Sequence, residues 1–207
     1  MAAKECSLAI CIVELALLSG CGSGPAKINI PVVNASGAAL AAIELADRDS
    51  DGAISKEEAK TVPSLHVEFD KYDGNGDGKL DAAEIESRIQ SWTARGAKVV
   101  PISFYVRMDG QPLVGARVVL EPEPFMGGVL ASAESMVSGG GACGPSVPRE
   151  LLTKEVPIGV FCGLYRMKVT HPQKAIPAKY NEQTELGIEI APDYDFFNRK
   201  TFELSSR

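Results

Sequence analysis

Two short runs of this chain gather oxygen donors at matched spacing. The first is Asp47-Arg48-Asp49-Ser50-Asp51-Gly52-Ala53-Ile54-Ser55-Lys56-Glu57-Glu58; the second is Asp73-Gly74-Asn75-Gly76-Asp77-Gly78-Lys79-Leu80-Asp81-Ala82-Ala83-Glu84. Positions 1, 3 and 5 carry Asp47, Asp49 and Asp51 in one run and Asp73, Asn75 and Asp77 in the other. Such donors suit a hard cation, and Ca²⁺ takes six to eight oxygens at about 2.3–2.6 Å. Position 7 lends only its backbone carbonyl, so its side chain is unconstrained; it is Ala53 or Lys79. Position 9, Ser55 or Asp81, acts through a water. Glu58 or Glu84 at position 12 offers both carboxylate oxygens, which favours calcium over the smaller magnesium. Gly52 and Gly78 stand at position 6, where the chain turns sharply.

Both runs fit D-x-[DN]-x-[DN]-G-x5-E at every constrained position and resemble the EF-hand calcium loop. The resemblance implies two bound Ca²⁺ and a short strand contact between Ile54 and Leu80 at position 8. Ser55-x-x-Glu58 is a capping-box pattern, and Asp81-x-x-Glu84 is its Asp-headed analogue, so a helix is expected to follow each loop.

The flanking elements must hold these loops. Leu40 and Ile43 mark the helix entering the first loop, and Ala59 and Val62 the one leaving it, which stops at Pro63. Leu65, Phe69 and Tyr72 stripe the next entering helix; Ile85, Ile89 and Trp92 stripe the last, which ends near Arg95-Gly96. Only 14 residues separate the loops, leaving each intervening helix about two turns. None of the five Met residues (1, 108, 126, 136 and 167) falls in this module, whereas calcium sensors open a Met-rich groove. A structural or buffering calcium site is favoured over a sensor.

Charge agrees with this placement. The net charge of −6 lies entirely in residues 34–95, which hold 13 acids and 7 bases. An acidic chain of this kind is not a general nucleic-acid binder.

Residues 1–20 read as an export signal: Lys4 precedes an apolar stretch from Leu8 to Leu18, too short for a spanning helix of about 20 residues. Leu18-Ser19-Gly20-Cys21 is similar to the lipobox of bacterial lipoproteins. That likeness implies cleavage before Cys21, lipidation of Cys21, and a membrane anchor in the cell envelope, periplasmic or on the outer surface. Residues 21–37, with Gly-Ser-Gly-Pro and Asn34-Ala-Ser-Gly, read as a flexible tether, and 38–95 as the paired calcium module.

From Val99 the pattern becomes period two. Ile102, Phe104 and Val106 alternate, Asp109-Gly110 turns the chain, and Ala116, Val118 and Leu120 return. Tyr165, Met167 and Val169, then Leu186, Ile188 and Ile190, then Phe202 and Leu204 supply further strands. Residues 96–207 are expected to form a β-sandwich. Asp109-Gly-Gln-Pro-Leu-Val-Gly115-Ala116-Arg-Val118 resembles the first hairpin, and Gly163-Leu-Tyr165-Arg-Met-Lys-Val169 a later strand, of carboxypeptidase-regulatory-like (transthyretin-like) domains. That resemblance implies a non-catalytic scaffold, adhesion or carbohydrate-contact module. Ser138 to Gly144 departs from the pattern and leaves strand pairing there open.

With cleavage, Cys143 and Cys162 remain as an even pair: either a disulfide closing a 20-residue loop, which would contribute about 3 kcal/mol, or two buried thiols. No zinc spacing, phosphate loop or nucleophile elbow occurs. His66 and His171 read as surface or turn residues, and Asp193 and Asp195 as a solvated hairpin tip.

The expectation is thus α+β in separate domains: a paired EF-hand module followed by an all-β, transthyretin-like sandwich. The function expected is binding of two Ca²⁺ in a lipid-anchored envelope protein, not an enzyme, with calcium acting structurally. A calcium-responsive regulator of an envelope protein partner, and a glycan-binding module, are the alternatives. The sandwich is expected to unfold independently of calcium.

Overall fold

The computed structural model describes residues 29–94, 99–195 and 199–207. The export stretch, Cys21 and the beginning of the tether lie outside the described residues.

Helix α1 (Ala35–Ala46) begins three residues before the expected module boundary, because Asn34 caps it: the Asn34 side chain accepts from the Gly37 N–H at 3.2 Å. Of the expected stripe, Ile43 packs partly buried against the core, but Leu40 does not join the inward face. Ala38, Ala39, Ala42 and Ala46 are buried, while Leu40 is exposed. Small side chains let α1 pack closely on α4 (Ala82–Ala94).

Strands β1 (Ala53–Ser55) and β2 (Lys79–Asp81) pair antiparallel with Ile54 opposite Leu80, as expected. Between the loops the two expected helices appear as three shorter pieces: a 3₁₀ turn at Glu58–Thr61, α2 (Pro63–Val67) and α3 (Phe69–Tyr72). Val62, at φ −124° and ψ 88°, breaks the first run, and Pro63 then opens α2 at a position where its missing N–H costs nothing. Leu65, Phe69, Tyr72, Ile85, Ile89 and Trp92 are all buried.

The β region begins with β3 (Val99–Val100), β4 (Phe104–Met108), β5 (Gln111–Pro112), β6 (Arg117–Pro122), β7 (Ala133–Met136) and β8 (Ala142–Cys143). It continues with β9 (Val160–Phe161), β10 (Gly163–Thr170), β11 (Gly187–Ile190) and β12 (Thr201–Leu204). One sheet runs β11-β10-β6-β7, all antiparallel. In the other, β4 pairs with β12 in parallel on one edge and with β5 and β8 on its other edge; β3 and β9 form a small separate ladder. Asp109 and Gly110 both have positive φ and make the tight two-residue turn into β5. The returning strand β6 then joins the opposite sheet rather than pairing with β4. The glycine-rich stretch turns at Ser138–Gly141 and delivers β8, with Cys143 opposite Phe104.

The helical and β regions do not stand apart. One continuous buried cluster includes Ala42, Leu65 and Ile89 together with Phe104, Leu120 and Tyr165. All four residues of β11 are buried, so both of its faces are covered. Gly187 lies so close to α2 that an added Cβ would sit 2.2 Å from the Ser64 nitrogen. A glycine within a strand marks such close backbone approach.

Candidate metal centre

The two loops share one hydrogen-bonding scaffold. In each, position 1 is held by the position 6 amide: Gly52 N–H to Asp47 Oδ2 at 2.9 Å, and Gly78 N–H to Asp73 Oδ2 at 2.9 Å. Position 3 accepts from the position 5 amide: Asp51 N–H to Asp49 Oδ1 at 3.2 Å, and Asp77 N–H to Asn75 Oδ1 at 2.8 Å. Position 5 accepts from position 7: Ala53 N–H to Asp51 and Lys79 N–H to Asp77, at 3.0 and 2.9 Å. Position 12 closes each loop by accepting from the amides of positions 2 and 3, Arg48 and Asp49 for Glu58, Gly74 and Asn75 for Glu84.

The capping pairs form as well. Ser55 N–H donates to Glu58 Oε2 at 2.8 Å, and Glu58 N–H to Ser55 Oγ at 3.3 Å; Asp81 and Glu84 exchange the same two bonds at 3.1 and 2.8 Å. The Ser55 hydroxyl adds a further bond to Glu58 Oε2 at 2.7 Å. The Ser55 hydroxyl, with backbone amides, lowers the Glu58 carboxyl to about 2, so it stays ionised at neutral pH.

Positive φ at Gly52 and Gly78, 90° and 82°, turns the backbone so that these amides point inward. Position 4 is also left-handed in both loops, at Ser50 and Gly76. Asp47, Asp49 and Glu58 bring carboxylate oxygens within 4.8 Å of one another. This convergent set of carboxylate oxygens in the first loop fits a hard divalent cation in donor type and charge. Asn75 replaces the position 3 carboxylate in the second loop and donates through Nδ2 to Asp77 at 3.1 Å.

Lys79 does more than expected of position 7. Its ammonium binds the carboxylate of Asp51 across the β1–β2 ladder, and this bond lowers the Asp51 carboxyl. The two loops are therefore joined by side chains as well as by strand pairing.

Sequence reading missed the polar contacts between this module and the sheet. Glu189 on β11, its side chain 1 % exposed, accepts from Tyr72 Oη at 2.9 Å, Trp92 Nε1 at 3.1 Å, Lys71 Nζ at 3.2 Å, and Arg88 Nε and Nη2 at 2.9 and 2.6 Å. Arg88 also holds Asp193 at 3.0 and 3.1 Å, so Asp193 is not a solvated hairpin tip. Buried Glu123 accepts from the Ser64 hydroxyl at 2.8 Å and the Ser64 N–H at 3.3 Å. Alternation assigns Ile188 and Ile190 inward; the signal for the second covered face was Gly187 within that strand.

The remaining singled-out residues have other duties. His171 Nδ1 accepts from the Gln173 and Lys174 amides while Nε2 donates to the Val114 carbonyl, shaping a turn. His66 is half-buried on α2, not on an exposed face. Cys143 and Cys162 are thiols rather than a bridge, and burial pushes both up to about 11.

Fold and loops together describe a helix–loop–helix pair seated on a β region. The EF hand family matches residues 40–62 and 67–88, which span both loops with their flanking elements. An EF-hand domain is thus found in this chain, and with the acidic group of the first loop it supports calcium binding. No curated protein and no solved structure matches the chain.

Proposed function

We propose that the protein binds two Ca²⁺, one in each loop, through Asp47, Asp49, Asp51, the Ala53 carbonyl, Ser55 and Glu58, and through Asp73, Asn75, Asp77, the Lys79 carbonyl, Asp81 and Glu84. The observation that carries this is the repeated scaffold: equivalent amides hold equivalent carboxylates in both loops. Affinities in the range of about 10⁻⁵–10⁻³ M are expected. Calorimetry with the full chain tests it: two ions per chain, falling to one with Glu58→Gln or Glu84→Gln. One ion or none in the parent protein overturns it.

Calcium acts mainly as a structural ion in this proposal. The support is that Tyr72 and Arg88, on the helices either side of the second loop, are tied to the same buried carboxylate, so those helices cannot swing apart while that contact persists. The β region is taken as a non-catalytic, carboxypeptidase-regulatory-like scaffold, supported by the tight Asp109-Gly110 turn and the two four-stranded sheets.

The proposal places the protein at the cell envelope, anchored by lipid on Cys21, on the strength of Leu18-Ser19-Gly20-Cys21 after an apolar stretch. No helix among the described residues is long and apolar enough to cross a membrane. Cys21→Ser should abolish lipid labelling and release the protein from membranes; label retained by the variant, or never carried by the parent, defeats the anchor.

A further inference from the structure

Glu189 lies outside both loops, yet it is bonded to both arms of the second one. Tyr72 immediately precedes Asp73, the first loop position, and donates to Glu189 Oε1 at 2.9 Å. Arg88 stands one helical turn beyond Glu84, the last position, and reaches Oε1 at 2.9 Å and Oε2 at 2.6 Å. Trp92, one turn further along α4, donates to the same carboxylate at 3.1 Å. The spacing between the arms of the second loop is therefore referred to a point on the β-sheet.

We infer that Glu189 is a positioning residue for the second calcium loop, setting that loop's affinity by fixing its two arms and linking its occupancy to strand β11; this rests on the calcium reading above. The physical reason is the cost of rearrangement. Glu189 is a carboxylate removed from water, and its charge is compensated by Arg88 and Lys71. Separating the arms would leave charge buried without partners, which is strongly unfavourable. An unloaded loop is thereby kept near one geometry, and such preorganisation raises affinity by lowering the ordering cost of binding. The first loop is linked to Glu189 only indirectly, through the β1–β2 ladder, the Lys79–Asp51 pair and the packing of α1 on α4. Its affinity should therefore change far less with Glu189 than that of the second loop.

The chain has a single tryptophan, Trp92, and its indole N–H contacts Glu189, so its emission reports on this contact. The experiment uses the full chain and Ca²⁺ alone, followed by calorimetry and Trp92 fluorescence. Glu58→Gln leaves the second loop to be titrated; Glu84→Gln leaves the first. Adding Glu189→Gln should weaken the second loop about tenfold, through lost preorganisation, and diminish the calcium response of Trp92, while the first loop changes far less. Equal weakening of both loops means general destabilisation and overturns the inference, as does an unchanged second loop. Tyr72→Phe removes one hydroxyl and serves if Glu189→Gln fails to fold: a several-fold loss confined to the second loop is expected, and no loss overturns it. If the Glu58→Gln parent takes up no calcium, the calcium reading fails before Glu189 is altered, which distinguishes the two failures and leaves no affinity for Glu189 to set.

Discussion

Arg88 grips Glu189 with one edge of its guanidinium, Nε to Oε1 at 2.9 Å and Nη2 to Oε2 at 2.6 Å. Arg88 belongs to the helix that closes the second loop; Glu189 belongs to a strand more than a hundred residues later, 101 positions along the chain. Two-point pairing of this kind fixes orientation as well as distance. It makes the acidic helical segment and the β-sheet one mechanical unit.

Unfolding should accordingly show one transition rather than two. With a shared core, calcium that binds the folded state stabilises both regions, by about 2.7 kcal/mol per site at a hundredfold excess over Kd. Hydrogen exchange with and without chelator should show protection falling in α4 and in β11 together. Residues 163–190 retaining full protection while α4 loses it would restore the picture of independent domains.

Gly187→Ala should be among the most damaging single-methyl changes. The new Cβ would meet the Ser64 nitrogen at 2.2 Å and the Pro63 carbonyl oxygen at 2.4 Å, and backbone atoms have no rotamer to escape into. Overpacking of this kind costs about 1–3 kcal/mol or more. A lowered urea midpoint is expected, and a midpoint equal to the parent's contradicts the close approach.

Lys79→Met should tighten the first loop rather than the second. The Lys79 ammonium occupies the Asp51 carboxylate, which is a proposed ligand of the first loop. Removing that competitor should raise first-loop affinity by about threefold at low salt, the scale of an exposed ion pair, with less effect in high salt. Titration of the Glu84→Gln background reads this directly.

Acid should destabilise the protein through some carboxylates and not through all. Hydrogen bonding by Arg88 holds Asp193 below its ordinary value; burial alone would raise Glu189, but Arg88 and Lys71 outweigh it and hold it down. Glu58 is lowered to about 2 by Ser55 and backbone amides. For these groups stability is present above the unfolded values and is lost as pH falls through the folded ones. Glu123 has the opposite sign, because burial raises it above 4.5 despite the bonds from Ser64. Its contribution is present below the unfolded value and lost as pH rises through the raised one. Glu123→Gln, which can still accept from Ser64, should therefore raise the urea midpoint at about pH 7 and leave it unchanged at about pH 3.5.

Local chemistry was legible from the residues alone. Asp, Asn, Gly and Glu at loop spacing determine the loops, because each ligand and its holding amide lie within twelve positions of one another. The Ile54–Leu80 pairing, the Ser55–Glu58 cap and the alternating strand residues from Phe104 to Leu204 are likewise set by neighbours in sequence. Helix α1 was less legible: Leu40 looks like a core residue, but close packing on α4 selects alanines for the buried face.

Only the tertiary structure decided how the helical and β regions meet. Glu189 alternates with Ile188 and Ile190, and period two alone sends such a residue to solvent. It is buried because Tyr72, Arg88, Trp92 and Lys71 come from far along the chain to cover it. The assignment of β4 and β6 to opposite sheets, and the parallel pairing of β4 with β12, follow equally from distant partners. A pattern of residues states which face of a strand can be apolar. It does not state what will be laid against the other face, since that depends on shape and charge brought together only when the whole chain has folded.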